Sequence, residues 1–296
     1  NIRFEEAFSP DLCRLLAASG CIAVTAGLEA ASDRLLEKMK KGITCEQTVR
    51  VAAAFRSAGI LVHAYLMYGF PSETLDETID ALERVRQMFA SDLLQSAFWH
   101  RFTTTAHSPI GLNPKASGLK ILGPEFRGFA ENDLIHLDRR GETAEWVGEG
   151  LRRSMLNFLE GRGLDMDVRR WFDHHTPRPR VSAAWTTRAL AKRRALDDAR
   201  AERRAVWLGL PPVFEFRRRC VKLYVSGHRI GLTMTSEEAN WLNGVLQASA
   251  VAKDRDGIYP FWRDVKKAFP GTADDMTSFM QQPSWKRIRA AGLLLV

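Results

Sequence analysis

Three apolar runs, Cys21 to Leu28, Ile60 to Tyr68 and Leu94 to Phe102, alternate with stretches of helical periodicity, and this alternation constrains the fold more than any other feature. Neighbouring strands that run parallel need a crossover between them, and a helix supplies it. Cys21 to Leu28 is apolar enough to be buried on both faces, as strands of a parallel layer are. With Ile2 to Glu6 as an earlier strand, the first 110 residues read as parallel strands joined by helices, the later half of a (β/α) barrel. Half a barrel leaves an open sheet edge, and the chain starts with Asn1 inside a strand pattern, so the expectation is that the earlier half lies upstream.

Local signals place the helices. Ser9-Pro10-Asp11 offers a capping serine followed by proline in the first turn, and Gly20 ends the helix. Ser32 to Lys41 reads as a helix closed by Gly42, with Lys38, Lys40 and Lys41 at the end where the helix dipole favours cations. Thr44 and Gln47 resemble a capping box for a helix to Ser57, and Glu73 to Phe89 is a long amphipathic helix.

After about residue 105 glycine and proline punctuate the chain, leaving Lys120 to Leu122 and Leu134 to Leu137 as short strands and Glu142 to Leu159 and Asp167 to His175 as helices. Arg178 to Arg219 is strongly basic. Val213 to Val225 and Arg229 to Met234 flank Ser226-Gly227-His228 as a hairpin; helices from Ser236, Pro260 and Ala273 follow, and Ala291 to Val296 ends as a strand. The expected organisation is a half-barrel at 1–110, a loop-rich and helical extension at 111–177, a basic helical linker at 178–212 and a small α+β, winged-helix-like domain at 213–296.

Composition excludes several classes. No apolar run approaches the ~20 residues that cross a bilayer, so no membrane partner is expected. Cys13, Cys21, Cys45 and Cys220 contain no Cys-x-x-Cys pair and suit the free thiols of a cytoplasmic protein. The 43 Lys+Arg against 35 Asp+Glu give a net charge of +8, which would favour an anionic partner, although interspersed acids make general solubility the plainer reading. The basic segment would suit nucleic-acid phosphates; a solvated helix and linker is preferred there.

Two strand-to-loop junctions carry the chemistry. The first runs Gly27-Leu28-Glu29-Ala30-Ala31-Ser32-Asp33-Arg34, with Met39-Lys40-Lys41-Gly42 after it; the second is Gly69-Phe70-Pro71-Ser72-Glu73-Thr74. Each places polar residues just beyond a strand, at the mouth where barrel sites are built. Together they resemble the later half of a radical S-adenosylmethionine (radical SAM) domain, close to the cobalamin-binding and methylthiotransferase branches of that superfamily. The resemblance implies that Glu29 lies by the ribose or amino group of S-adenosylmethionine. It also implies that Gly69, Phe70 and Pro71 turn beneath its adenine, and that Arg3 and Glu5 stand on a strand whose polar end faces cofactor or substrate. The family's serine after the glutamate is Ala30 here, so Ser32 is the candidate for the second polar contact, and Ser72 replaces the commoner glycine of the second turn.

His100 and His107, at the end of the last strand, are candidate acid/base or substrate contacts, and their spacing does not suit a metal site. The resemblance further implies a 4Fe-4S cluster held by a Cys-x-x-x-Cys-x-x-Cys loop that these residues do not contain, an electron donor such as flavodoxin or ferredoxin, and in this branch a cobalamin-binding domain. The expected function is the C-terminal part of a radical SAM enzyme acting on an unknown substrate, inactive as it stands. The competing class is a binding module for nucleic acid or peptide built on the basic C-terminal region. An ordinary aldolase barrel is disfavoured because Lys38, Lys40 and Lys41 lie on a helix rather than at a strand end.

Overall fold

The computed structural model describes residues 1–125, 132–138, 145–192, 202–209, 213–215, 220–225, 228–251 and 259–296, with backbone alone for 213–215, 220–225, 228–230 and 233. The chain divides into two compact units, one of Asn1–Phe8 with Ile22–Arg193 and one of Ser9–Cys21 with Arg194–Val296. No helix among the described residues is long and apolar enough to cross a membrane.

The first helix, α1 (Pro10–Ala18), starts where expected: Ser9 accepts the Leu12 N–H at 3.2 Å and Pro10 occupies the first turn. It belongs to the second unit.

The first unit is built on three parallel strands in the order β1 (Ala23–Glu29), β2 (Leu61–Tyr68) and β3 (Ser96–Arg101). The crossovers are α2 (Asp33–Lys38) with α3 (Cys45–Ser57), then α4 (Leu75–Ala90). Strand alternation decides the packing. Ala26, Leu28, Val62, Ala64, Leu66, Ala97 and Trp99 are buried, as are Val49, Ala52 and Phe55 of α3 and Ile79, Leu82, Val85 and Met88 of α4. On the opposite face Tyr65 is 40% and Phe98 53% exposed, so the sheet is covered on one side only. The expected first strand shrinks to a single parallel bridge from Ile2 to Ala26, because Glu5 bonds back to the Arg3 carbonyl and turns the chain away.

The remainder of this unit is a small antiparallel sheet, ordered β4 (Thr104–Thr105), β6 (Asp133–Asp138), β5 (Leu119–Gly123), with a short α5 (Pro109–Leu112), and then α6 (Glu145–Leu159) and α7 (Trp185–Ala191). Residues 142–144 of the expected helix lie outside the described residues. The helix expected at Asp167 to His175 is a short 3-10 turn, Val168–Trp171, leaving in extended backbone at Phe172. Trp171 and Phe172 are adjacent and both buried, which an amphipathic helix accommodates poorly.

The second unit adds β7 (Ala205–Trp207), β8 (Val213–Glu215), β9 (Cys220–Val225), β10 (His228–Thr233), α8 (Ser236–Ser249), α9 (Trp262–Lys267), α10 (Ala273–Gln281), α11 (Pro283–Ala291) and β11 (Leu293–Leu295). The expected hairpin pairs β9 with β10; its turn residues Ser226 and Gly227 lie outside the described residues, as do Arg193, Arg194 and Arg217 to Arg219 of the basic segment. The terminal strand β11 pairs antiparallel with β7. Trp207, Trp241, Trp262 and Trp285 fill the core, with Trp262 and Trp285 stacked at 5.4 Å. Buried Asp11 bonds to Arg289 and accepts the Leu295 N–H at 2.9 Å, tying α1 to α11 and β11.

Candidate functional site

The first junction begins at a strand irregularity. The register of β1 on β2 shifts between Gly27 and Glu29, and Glu29 (φ 56°) and Ala31 (φ 43°) both hold left-handed backbone, costly for residues with a Cβ. The turn folds the Glu29 carboxylate back over Gly27, where a Cβ would come within 2.2 Å of Oε1. Only glycine admits that approach. Lys41 donates to Glu29 Oε1 at 2.8 Å, and Oε2 has no hydrogen-bond partner among the described residues. A carboxylate anchored through one oxygen keeps the other available to a hydroxyl or ammonium donor.

The second junction closes around a buried acid. Glu73 is 3% exposed; its Oε2 accepts the Phe70 N–H at 3.0 Å and its Oε1 the Thr78 hydroxyl at 2.8 Å. Burial pushes its carboxyl up to about 7, against the opposing pull of Thr78 and the Phe70 and Gly69 amides. Gly69 (φ 76°) and Ser72 (φ 72°) turn through the left-handed region on either side of buried Phe70 and Pro71. Thr74 then caps α4 in a full capping box with Glu77.

Side chains of α2 fasten the two junctions together. Arg34 donates to Glu77 through Nε at 2.8 Å and Nη2 at 2.6 Å, and also reaches the Ser72 carbonyl at 2.8 Å. Lys38 donates to the Pro71 carbonyl at 3.0 Å and the Ser72 hydroxyl at 2.8 Å. Ser32 donates to Glu77 Oε1 at 3.0 Å, so the structure gives this hydroxyl a partner in the α4 cap. Burial alone would raise the Glu77 carboxyl, but Arg34, the Thr74 amide and Ser32 hold it down at about 2. Beneath them Ala30, Leu35 and Phe70 pack with Met39, Met67, Phe102 and Ile110.

The open sheet face forms the floor. His63, Tyr65, Phe98 and His100 share it: ring centroids stand 5.0 Å apart for His63–Tyr65, 6.0 Å for Tyr65–His100 and 4.5 Å for Phe98–His100. His63 Nδ1 lies 2.7 Å from Ser96 Oγ, and its pKa is lowered by burial and then by His100. His63 was not singled out from the sequence; its alternation with Tyr65 and Met67 was the available signal.

The remaining expected residues make other contacts. Arg3 and Glu5 form an exposed ion pair at 3.7 Å, of a kind worth at most about 1 kcal/mol. His107 is exposed on the loop after β4. Among the described residues no group of three His, Cys, Asp or Glu side chains could hold a metal ion. Cys13 and Cys45 are fully buried free thiols; burial, with Cys21 nearby, pushes Cys13 up to about 12, and burial also raises Cys45, the opposite of what thiolate ligation needs. These residues do not fit a cluster, whereas the second oxygen of Glu29 can accept a donor from a polar ligand.

Residues 2–85 match the sequence profile of the radical SAM superfamily. The ribosomal protein uS12 methylthiotransferase of Chloroherpeton thalassium is 30% identical over 138 residues, 46% of this chain and 31% of that protein. The tRNA-2-methylthio-N(6)-dimethylallyladenosine synthase of Pelotomaculum thermopropionicum is 27% identical over 166 residues, covering 52% and 36%. An uncharacterized methyltransferase of Pyrococcus horikoshii is 25% identical over 169 residues, covering 57% and 35%. The chain thus spans about a third of the length of these relatives.

Proposed function

The chain belongs to the radical SAM superfamily through residues 2–85, and on that premise we propose that its two junctions form the S-adenosylmethionine side of an active site whose cluster ligands come from sequence outside these 296 residues. The observation that carries this reading is Glu29, anchored by Lys41 through one oxygen and open through the other, on the strand adjacent to the one that ends in the Gly69 turn. Glu29 binds the ribose or amino group, Gly69, Phe70 and Pro71 border the adenine, and Ser32 acts through the Glu77 cap rather than on the cofactor. His63 and His100 face the substrate side of the open sheet, where their imidazole nitrogens can hydrogen-bond a substrate. When bound at a reduced 4Fe-4S cluster, S-adenosylmethionine supplies the radical chemistry of the superfamily. The reaction class that fits the relatives is methylation or methylthiolation.

Anaerobic reconstitution with iron and sulfide tests the division of labour. The chain alone is expected to bind S-adenosylhomocysteine without cleaving S-adenosylmethionine. Reductive cleavage by the chain alone would overturn the reading.

A second reading has one specific observation behind it. In the second unit the guanidinium groups of Arg204 and Arg263 lie 3.9 and 4.5 Å from the Phe261 ring centroid, an arrangement that can present cations beside an aromatic face to nucleic acid. A salt-sensitive nucleic-acid affinity that Arg263→Ala weakens would support it.

A further inference from the structure

Ser72 is the most constrained residue of the second turn. With φ at 72° it holds a conformation that glycine adopts freely and serine does not, so its surroundings must impose it. Three groups bond to it from outside the turn. Arg34 reaches its carbonyl at 2.8 Å and its hydroxyl at 3.3 Å, and Lys38 its hydroxyl at 2.8 Å. Asp138 Oδ2 accepts its N–H at 2.9 Å.

The three differ in strength and origin. Arg34 and Lys38 come from α2, within residues 2–85, and both are exposed, so water competes for their bonds. Asp138 is 8% exposed at the end of β6, beyond that segment, paired with buried Leu119 of β5. A buried carboxylate accepting an amide proton is the stronger bond, and its loss leaves a partly buried N–H without its acceptor. Glu73 ties the turn from inside through Phe70; Asp138 ties it from outside through Ser72.

We propose that Asp138 is a positioning residue for the cofactor turn: by accepting the Ser72 N–H it holds Gly69 to Glu73 in the shape that binds S-adenosylmethionine, and so links the β5–β6 hairpin to cofactor affinity. This rests on the cofactor reading given above. The hairpin thereby sets how well the turn is preorganised, and a ligand that meets a preorganised turn spends less free energy ordering it.

The experiment is a double-mutant cycle on the full chain with Asp138→Ala, Ser72→Gly and the pair, read by S-adenosylhomocysteine titration calorimetry and by hydrogen exchange over residues 69–73. Asp138→Ala is expected to weaken binding about tenfold and speed exchange in the turn, the loss expected for one charge-assisted bond. Asp138→Asn, which keeps a carbonyl acceptor, is expected to recover affinity to within about threefold of the native chain. In the Ser72→Gly background the alanine substitution is expected to cost no more than about twofold, because glycine takes the turn unaided. Equal losses in both backgrounds, or native affinity in Asp138→Ala, overturn the proposal. If the native chain binds no S-adenosylhomocysteine, the cofactor reading fails instead; unchanged exchange at 69–73 in Asp138→Ala then overturns the brace itself.

Discussion

Replacing Glu73 by glutamine removes one titration from the heart of the second turn, and the structure sets the size of the effect. The carboxyl is 3% exposed and is raised from 4.5 to about 7, so the folded chain holds this proton far more tightly than the unfolded chain does. A raised folded value makes the contribution fully present below pH 4.5 and lost as pH climbs through 7. At about 1.4 kcal/mol per pKa unit, the native chain loses about 3 kcal/mol of folding stability from this group between pH 4.5 and 8. Glutamine cannot ionise, and like the protonated acid it offers an acceptor to the Phe70 N–H and a donor to the Thr78 hydroxyl oxygen. The Glu73→Gln profile should therefore be flatter than the native one by about that amount, the variant being relatively more stable at pH 8. Urea unfolding at pH 5 and 8, followed by a probe on the first unit, reads the difference directly. Parallel pH profiles for the two proteins would refute the reasoning.

Gly27→Ala places a Cβ where Glu29 Oε1 now lies, displacing the carboxylate and breaking its bond to Lys41; S-adenosylhomocysteine affinity should fall about tenfold, with little change in melting temperature since the clash is with the movable end of a side chain. Thr74→Ala removes the hydroxyl that caps α4 and should cost about 1 kcal/mol in denaturant unfolding. Asp11→Ala removes the buried carboxylate that pairs with Arg289 and accepts the Leu295 N–H, and should cost about 3 kcal/mol, seen as a lowered transition in calorimetry.

What the sequence showed was largely what is encoded locally. Ser9 with Pro10, and Thr44 with Gln47, marked their helix starts because a cap and its amide lie within three residues. The alternation of apolar runs with helices corresponds to β1, β2 and β3, but the run Cys21 to Leu28 is not buried on both faces as its composition suggested: Ile22 is 79% exposed, and Ala26 and Leu28 alone of β1 are fully buried. The helix Pro283–Ala291 was missed although its signal was present: proline in the first turn, then buried Trp285, Ile288 and Ala291 three apart. The pairing of Leu293–Leu295 with Ala205–Trp207 left no such trace, since three-residue strands far apart in the chain carry no period of their own.

The same division holds at the candidate site. Glu29 and the Gly69-Phe70-Pro71 turn were legible as strand-end motifs, and they stand at the ends of the adjacent strands β1 and β2. The partners that fix them were not legible. Asp138 meets Ser72 across 66 positions and Ser32 meets Glu77 across 45, distances over which a single sequence offers no pattern. The aromatic floor lay in plain alternation, but only the observed one-sided sheet shows that Tyr65 and Phe98 stand exposed while their neighbours are buried.

Hydrogen exchange of the full chain with and without S-adenosylhomocysteine tests the cofactor assignment most directly. The account predicts slowed exchange at residues 27–31 and 69–73, together and at one ligand concentration, with residues 259–296 unchanged. Saturating ligand that protects neither junction, or protects only the second unit, would contradict it.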